Sequence, residues 1–134
     1  MILQSKEWQM PLFIEAYTGI ISHGKAVEGR VPDFIKPEKD YRPMKEGDIL
    51  KFFAIDKLTF KPIDDLPALK FEVQYVRSYP TVDEMLAQEG LEKLLPGVSS
   101  IEEGKQIYLG FPGYSERVKQ FGIYAIGLGK KISE

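Results

Sequence analysis

The fold is decided by the stretch Gly24-Lys25-Ala26-Val27-Glu28-Gly29-Arg30, where a helical pattern of apolar residues gives way to an alternating one. Over residues 13–21 the apolar side chains recur at helical spacing, Pro11 suits a first helical turn, and the glycine that opens the stretch suits a helix end. If the stretch is extended, Glu28 and Arg30 lie on one face, about 6.6 Å apart at the usual strand rise. The sequence therefore predicts a helix followed by a strand that carries a carboxylate and a cation together.

The rest of the chain alternates strand and helix patterns between two long charged loops, at 32–47 and 56–67. Three further strands are indicated by apolar or alternating runs, at 49–55, 68–77 and 121–128. One helix is predicted after Thr81, because Glu84 stands at capping-box spacing, and its apolar stripe continues through Leu95. Another helix is predicted to begin after Ser99 or Ser100 and to end in the glycine and proline run 110–113. This order predicts an α+β fold whose antiparallel sheet curls into a small barrel.

Composition sets limits on the class of protein. The chain has 134 residues, 43% of them hydrophobic and 28% charged, which fits a single domain over 1–134. A net charge of -2 excludes a broadly basic nucleic-acid clamp, so any polyanion would have to bind a local patch. The absence of cysteine excludes disulfides and thiolate metal sites.

The composition also bears on metal sites, cofactors and membrane segments. With one histidine and no tight carboxylate cluster, the sequence predicts neither a metal site nor a cofactor. No run approaches the roughly 18 apolar residues of a membrane span, and the first ten residues lack a signal-peptide core. We therefore expect a cytoplasmic protein, or a nuclear one if the source is eukaryotic, with no membrane partner.

The spacing Gly24-Lys25-x-x-Glu28-x-Arg30 after a helix resembles the Gly-x-Lys-x-x-Glu-x-Arg signature of the ASCH domain family, part of the PUA-like group. The chain differs in that its glycine and lysine are adjacent. A second family landmark, Gly-Asp before an apolar strand, is matched by Gly47-Asp48 and the residues after it. The resemblance covers nearly the whole chain and implies a PUA-like small β-barrel, with about five to six mostly antiparallel strands and flanking helices.

The resemblance implies a role with RNA. ASCH domains are similar to the PUA barrel that holds RNA, so the expected partner is RNA or a nucleoside or nucleotide, without DNA specificity. One similar group hydrolyses the amide of N4-acetylcytidine with a lysine, a threonine and a glutamate, and another is described as cleaving RNA. The lysine falls on Lys25, the glutamate on Glu89 and the threonine on Glu28, whose carboxylate lacks the hydroxyl nucleophile. The implied function is binding, with the hydrolase or a ribonuclease as the alternative and catalysis left open.

The residues of the motif support binding or catalysis on their own chemistry. Arg30 would hold the Glu28 carboxylate, leaving Lys25 free to meet a phosphate or an oxyanion. Glu89, if it folds over the same mouth, would act as general base while Glu28 orients the lysine. On residue chemistry alone a solvated Glu28–Arg30 pair, worth under about 1 kcal/mol, is the commoner arrangement.

Flanking residues extend the candidate site. His23 lies in the last helical turn, as a cap or surface residue beside the motif. The loop after the motif combines basic and aromatic residues: Tyr41, Arg42, Phe34 and three lysines. This composition is typical of a loop that binds a phosphate backbone while an aromatic ring stacks on a base. The neighbouring acidic residues instead favour a solvated loop. A second aromatic and basic cluster lies near the last strand and either walls the cleft or packs in the core: Tyr108, Phe111, Tyr114, Arg117 and Lys119. A cleft of this kind also fits a protein-interaction module that receives a partner's acidic or C-terminal group.

Overall fold

A computed structural model describes residues 5–132 of the chain. Within these residues the chain forms five strands, five α-helices and one short 3-10 helix, which confirms the α+β class. In chain order they are β1 (Glu7–Phe13), α1 (Ile14–Ser22), β2 (Val27–Arg30), the 3-10 helix (Pro37–Lys39), β3 (Ile49–Ile55), β4 (Leu69–Tyr79), α2 (Val82–Glu89), α3 (Leu91–Leu94), α4 (Ile101–Leu109), α5 (Tyr114–Phe121) and β5 (Ile123–Ile132).

The five strands form one mixed sheet in the order β1-β3-β4-β5-β2. β1 runs parallel to β3, from Glu7 opposite Ile49 to Phe13 opposite Ile55, and the other pairs are antiparallel. The expectation of an antiparallel sheet is therefore wrong for β1. It fails because Pro11, assigned to a helical turn, lies inside this strand, and proline is accepted there because β1 is an edge strand with a free side.

The sheet curls into a half-barrel, with β1 and β2 as its two edges. Two register shifts in the β4–β5 pairing, on either side of Val73, bend the longest strands and increase their twist. The edges approach each other closely enough for Arg30 on β2 to donate a hydrogen bond to the carbonyl oxygen of Pro11 on β1. We call the gap between β1 and β2 the seam.

Buried side chains form two clusters on the sheet. One contains Trp8 and Phe52 beneath α1, and the other joins β2 and β5 to the later helices through residues such as Met85. The buried Asp48 ties β1 to the start of β3, since its carboxylate accepts from the Trp8 indole at 3.0 Å and from the Lys6 amide at 3.2 Å. The Gly-Asp landmark thus has a structural role.

The helix predictions need two corrections. Thr81 and Ser100 cap α2 and α4 as predicted, accepting from the third amide of each helix. The apolar stripe that ends at residue 95 is two helices, because Gly90 has φ +105 and breaks it. The predicted last strand begins at Ile123 instead of 121, because the unpredicted helix α5 occupies 114–121 and ends at Gly122, which has φ +75.

Among the residues that the structure describes, no helix is long and apolar enough to cross a membrane.

Candidate functional site

The motif residues form a buried ion triad at the end of β2. One Glu28 oxygen lies 3.2 Å from Lys25 Nζ and the other lies 2.7 Å from Arg30 Nε. The side chains of Lys25, Glu28 and Arg30 are 3%, 8% and 13% exposed. The prediction that Glu28 and Arg30 share one strand face is confirmed, whereas the solvated surface pair is wrong, because helices and the seam cover the strand.

Lys25 is fully occupied by protein acceptors. Its ammonium donates to the carbonyl oxygens of Val27 at 2.8 Å and Leu94 at 2.6 Å, in addition to the Glu28 carboxylate. An ammonium has three donors, so none is left for a ligand in this arrangement. The expectation that Lys25 is free is therefore wrong; its side chain holds the end of α3 against the start of β2.

Charge within the triad is governed by burial and mutual attraction. Burial lowers the pKa of Lys25, and the Glu28 carboxylate opposes that effect. Burial acts to raise the pKa of Glu28, but the charges of Lys25 and Arg30 outweigh it and hold that pKa below its ordinary value. For Arg30, burial is outweighed by the Glu28 carboxylate, and the pKa is raised. Glu28 is thus kept ionised between two cations.

A cavity of about 310 Å³ opens in the seam beside the triad. Five of the residues lining it carry aromatic rings, four carry cations, and Glu28 supplies the one carboxylate among the described residues at its wall. The lining residues are Pro11, Leu12, Phe13, Ala16, Lys25, Glu28, Gly29, Arg30, Lys39, Ile55, Phe60, Leu95, Tyr108, Phe111, Pro112, Tyr114 and Arg117. The half-barrel therefore leaves an aromatic, positively charged space where its two edges fail to pair.

The rings of the cavity form a continuous aromatic wall. Phe13 is central, with its ring centroid 5.8 Å from that of Phe60 and 5.7 Å from that of Phe111. Phe111 in turn meets Tyr108 at 6.1 Å and Tyr114 at 5.3 Å, both edge to face. The predicted aromatic cluster near the last strand does wall this space.

Gly29 lets one of these rings approach the motif strand. A Cβ at this position would lie 2.7 Å from the hydroxyl oxygen of Tyr108 and 3.0 Å from the terminal carbon of Met85. The distance to Tyr108 is shorter than real Cβ contacts, so a side chain at this position would push the Tyr108 ring away from β2.

Two cations of the cavity have no side-chain acceptor in the part of the chain that the structure describes. The side chains of Lys39 and Arg117 make no hydrogen bond or ion pair with any residue from 5 to 132. Arg117 has a cation–π contact with Tyr114, at 5.4 Å from the ring centroid, and its buried Nε has no hydrogen-bond partner within residues 5–132. Lys119, the other basic residue of the predicted cluster, does not line the cavity.

Glu89 is not brought to this cavity. Its buried carboxylate accepts hydrogen bonds from the hydroxyl groups of Tyr75, at 2.5 Å, and Tyr79, and it pairs with Arg77 at 3.2 Å. Burial acts to raise the pKa of Glu89, but these hydrogen bonds outweigh it and lower that pKa. The expectation that Glu89 folds over the same mouth as Lys25 is wrong, because three donors from β4 hold the end of α2 against that strand.

His23, Tyr41 and Arg42 also lie outside the cavity lining. His23 is exposed at the C-terminal cap of α1. Tyr41 is buried, with its ring edge to face against Trp8 at 5.9 Å, so it is not available to stack on a base. Arg42 makes two side-chain hydrogen bonds to Asp40, at 2.9 and 2.8 Å. From this loop the structure brings Lys39 to the site instead.

Sequence reasoning missed Phe13 and Phe60 as site residues. Phe13 was assigned to the apolar face of α1, but it ends β1. Phe60 is 57% exposed and has φ +59, in a turn where the Asp56 carboxylate accepts from the amides of Leu58 and Thr59. The sequence signal was Asp56 with Thr59 three residues on, a turn-forming pair that precedes a phenylalanine in an otherwise charged loop.

Among the described residues no group of three or more histidine, cysteine, aspartate or glutamate side chains is placed to hold a metal ion.

Two solved structures are similar to this chain along almost its whole length. The crystal structure of hypothetical protein PH0355 shares 36% sequence identity with it, with a TM-score of 0.72 over 94% of this chain and 99% of that one. The solution NMR structure of protein PF0455 from Pyrococcus furiosus shares 36% identity, with a TM-score of 0.65 over 96% of this chain and 99% of that one. No model of a known protein family matches the chain, nor does any curated protein. The chain therefore belongs to the same protein family as hypothetical protein PH0355 and as protein PF0455, the latter from Pyrococcus furiosus.

Proposed function

We propose that this protein binds RNA or a nucleotide-like ligand in the seam cavity. The observation that carries the proposal is the combination, in one cavity, of an aromatic wall with four cations and a single carboxylate. Stacking on aromatic rings is worth about 1–3 kcal/mol per base, and cations bind the phosphate backbone. A net charge of -2 for the whole chain makes this local positive site stand apart from its surroundings.

The ion triad holds in position the strands that line the cavity. Lys25 and Arg30 each use Glu28 as an acceptor, and Arg30 also bonds to Pro11 across the seam. These contacts fix the distance between the two strand edges and leave one net positive charge at the cavity wall. In this role the triad shapes the site, and the ligand is held mainly by the rings and by the unpartnered cations.

We also assign the fold to the PUA-like group, as an ASCH-like domain. The assignment is supported by the helix, turn and strand that carry Lys25, Glu28 and Arg30, and by the structural role of Gly47-Asp48 ahead of β3. The open seam is a departure from a closed barrel.

The hydrolase alternative has less support. Its general base, Glu89, does not line the cavity, and Glu28 and Lys25 are bound to each other and to backbone groups. No observation favours a ribonuclease or a peptide-binding module over a nucleotide site.

The test is a binding series with short single-stranded RNAs and nucleoside monophosphates at low and high salt, followed by fluorescence or by the shift in melting temperature. Phe111→Ala should weaken binding by about tenfold or more, because it removes a ring that contacts three other rings of the wall. Phe34→Ala is the matched control, since Phe34 packs against Phe121 outside the cavity.

Two results would overturn the proposal. One is wild-type protein that binds neither RNA nor any nucleotide at low salt. The other is chromatographic detection of product from N4-acetylcytidine that is lost in Glu89→Gln, which would restore the hydrolase.

A further inference from the structure

We propose that Arg117 is the phosphate-binding residue of the seam cavity, and that the cavity takes one nucleotide unit, recognised by its phosphate as well as its base. This inference rests on the proposed function and names the ligand class and the residue that selects it.

The first reason is that Arg117 is the one arginine at the cavity without an anionic partner among the described residues. Arg30 is paired with Glu28, whereas Arg117 has a buried Nε that makes no hydrogen bond. The terminal nitrogens of Arg117 also have no acceptor among the described residues, although the residue lines the cavity. They can bind a phosphate, because guanidinium groups bind phosphate through parallel N–H donors.

The second reason is that this guanidinium lies at the start of α5. A Cβ on Gly113 would lie 2.8 Å from one terminal nitrogen of Arg117. Gly113 has φ +77 and forms the N-terminal cap of α5, so the side chain of Arg117 folds back over the start of its own helix. A cation is disfavoured at the N-terminal end of a helix, where the backbone dipole is positive. An anion bound there is stabilised both by the dipole and by the guanidinium.

The third reason is the position of Lys39 and the size of the cavity. Lys39, at the end of the 3-10 helix, lines the same space and has no acceptor among residues 5–132. Two cations suit the double charge of a terminal phosphate. The volume of about 310 Å³ is at the lower end of ligand pockets, enough for one nucleotide but not for several stacked ones.

The experiment compares the dissociation constants of cytidine 5′-monophosphate and cytidine for four proteins by calorimetry: wild type, Arg117→Ala, Arg117→Gln and Lys119→Ala. Lys119→Ala is the matched control, since it removes a cation from the same helix but outside the cavity. Wild type should bind the monophosphate about tenfold or more tightly than the nucleoside. Both Arg117 variants should lose this preference while their affinity for cytidine stays within about twofold, and Lys119→Ala should retain it.

The outcomes separate this inference from the proposed function. If wild type binds neither compound nor any RNA, the proposed function fails. If wild type binds nucleotides but shows no preference for the monophosphate, or if the preference survives in Arg117→Gln, the assignment of Arg117 is overturned and the binding function stands. Arg117→Gln keeps most of the side-chain length and serves if Arg117→Ala does not fold.

Discussion

Replacing Glu28 by glutamine removes the only negative charge of the buried triad and leaves two cations facing each other. Glu28 lies 3.2 Å from Lys25 Nζ and 2.7 Å from Arg30 Nε, and its side chain is 8% exposed. Because so little of the side chain is exposed, solvent in the adjoining cavity can replace the lost interactions only in part.

The expected loss is about 3–5 kcal/mol of unfolding free energy. Two charge-assisted hydrogen bonds contribute about 1.5–3 kcal/mol each, and part of this is recovered because the variant no longer buries a carboxylate. Removing one partner of a buried ion pair commonly costs about 3–5 kcal/mol. A domain of this size is stable by about 5–15 kcal/mol, so Glu28→Gln should be folded only marginally.

The assay is urea denaturation followed by circular dichroism, with wild type, Glu28→Gln and Asp40→Asn. Asp40 pairs with Arg42, whose side chain is 55% exposed, so its replacement should hardly change the midpoint. The double variant Lys25→Met with Glu28→Gln should lose less than the sum of the single losses, because both remove the same pair. A midpoint for Glu28→Gln close to that of Asp40→Asn would refute the claim that the triad is buried and holds the strand in place.

Three further predictions concern the packing and the other buried carboxylates. Gly29→Ala should destabilise the protein by about 1–3 kcal/mol and weaken nucleotide binding, since the new methyl group clashes with Tyr108; urea denaturation and ligand titration measure the two effects. Asp48→Asn should cost about 2 kcal/mol, because an amide cannot accept from Trp8 and the nearby backbone donors together, and the melting temperature should fall accordingly. In the folded protein the pKa of Glu89 is below its ordinary value of 4.5. The ionised carboxylate therefore contributes its full stabilisation above pH 4.5 and loses it as the pH falls through the folded pKa. Acid unfolding of Glu89→Gln should accordingly depend less on pH below about 4.5 than that of wild type.

Each of these has an outcome that contradicts it. Wild-type stability and affinity in Gly29→Ala would mean that the wall does not close over β2. An unchanged melting temperature in Asp48→Asn would remove the structural role of this aspartate. Identical acid-unfolding curves for wild type and Glu89→Gln would show that the tyrosine hydroxyl groups do not hold that carboxylate in its ionised form.

The sequence predicted local structure well because local signals suffice for it. The cap at Thr81 and the strand at 49–55 follow from side chains within a few positions of each other. β1 was missed because Pro11 is an ordinary signal for a helix start, and only the parallel pairing with β3 makes it part of a strand. α5 was missed although Tyr114, Val118 and Phe121 recur in it at helical spacing, because the run is only eight residues long and mostly polar.

The site was predicted in part for the same reason. Glu28 and Arg30 are two residues apart, and residues at this spacing in a strand lie on the same face, so their pairing could be predicted from the sequence. The acceptors of Lys25 at Leu94 and the donors to Glu89 on β4 depend on how distant elements pack. No spacing rule could have shown that Lys25 is fully bonded or that Glu89 faces a different cluster.

The central claim, that the seam cavity is a nucleotide-binding site, is tested most directly by amide chemical shifts of the labelled protein during titration with cytidine 5′-monophosphate. Binding in the seam should shift the amides of Gly29 and Arg30 on β2, Phe13 on β1, Phe111 ahead of α5 and Tyr114 at its start. It should leave the amides around Glu89 unchanged. Saturable shifts confined to other surfaces, or no shifts at millimolar ligand, would contradict it.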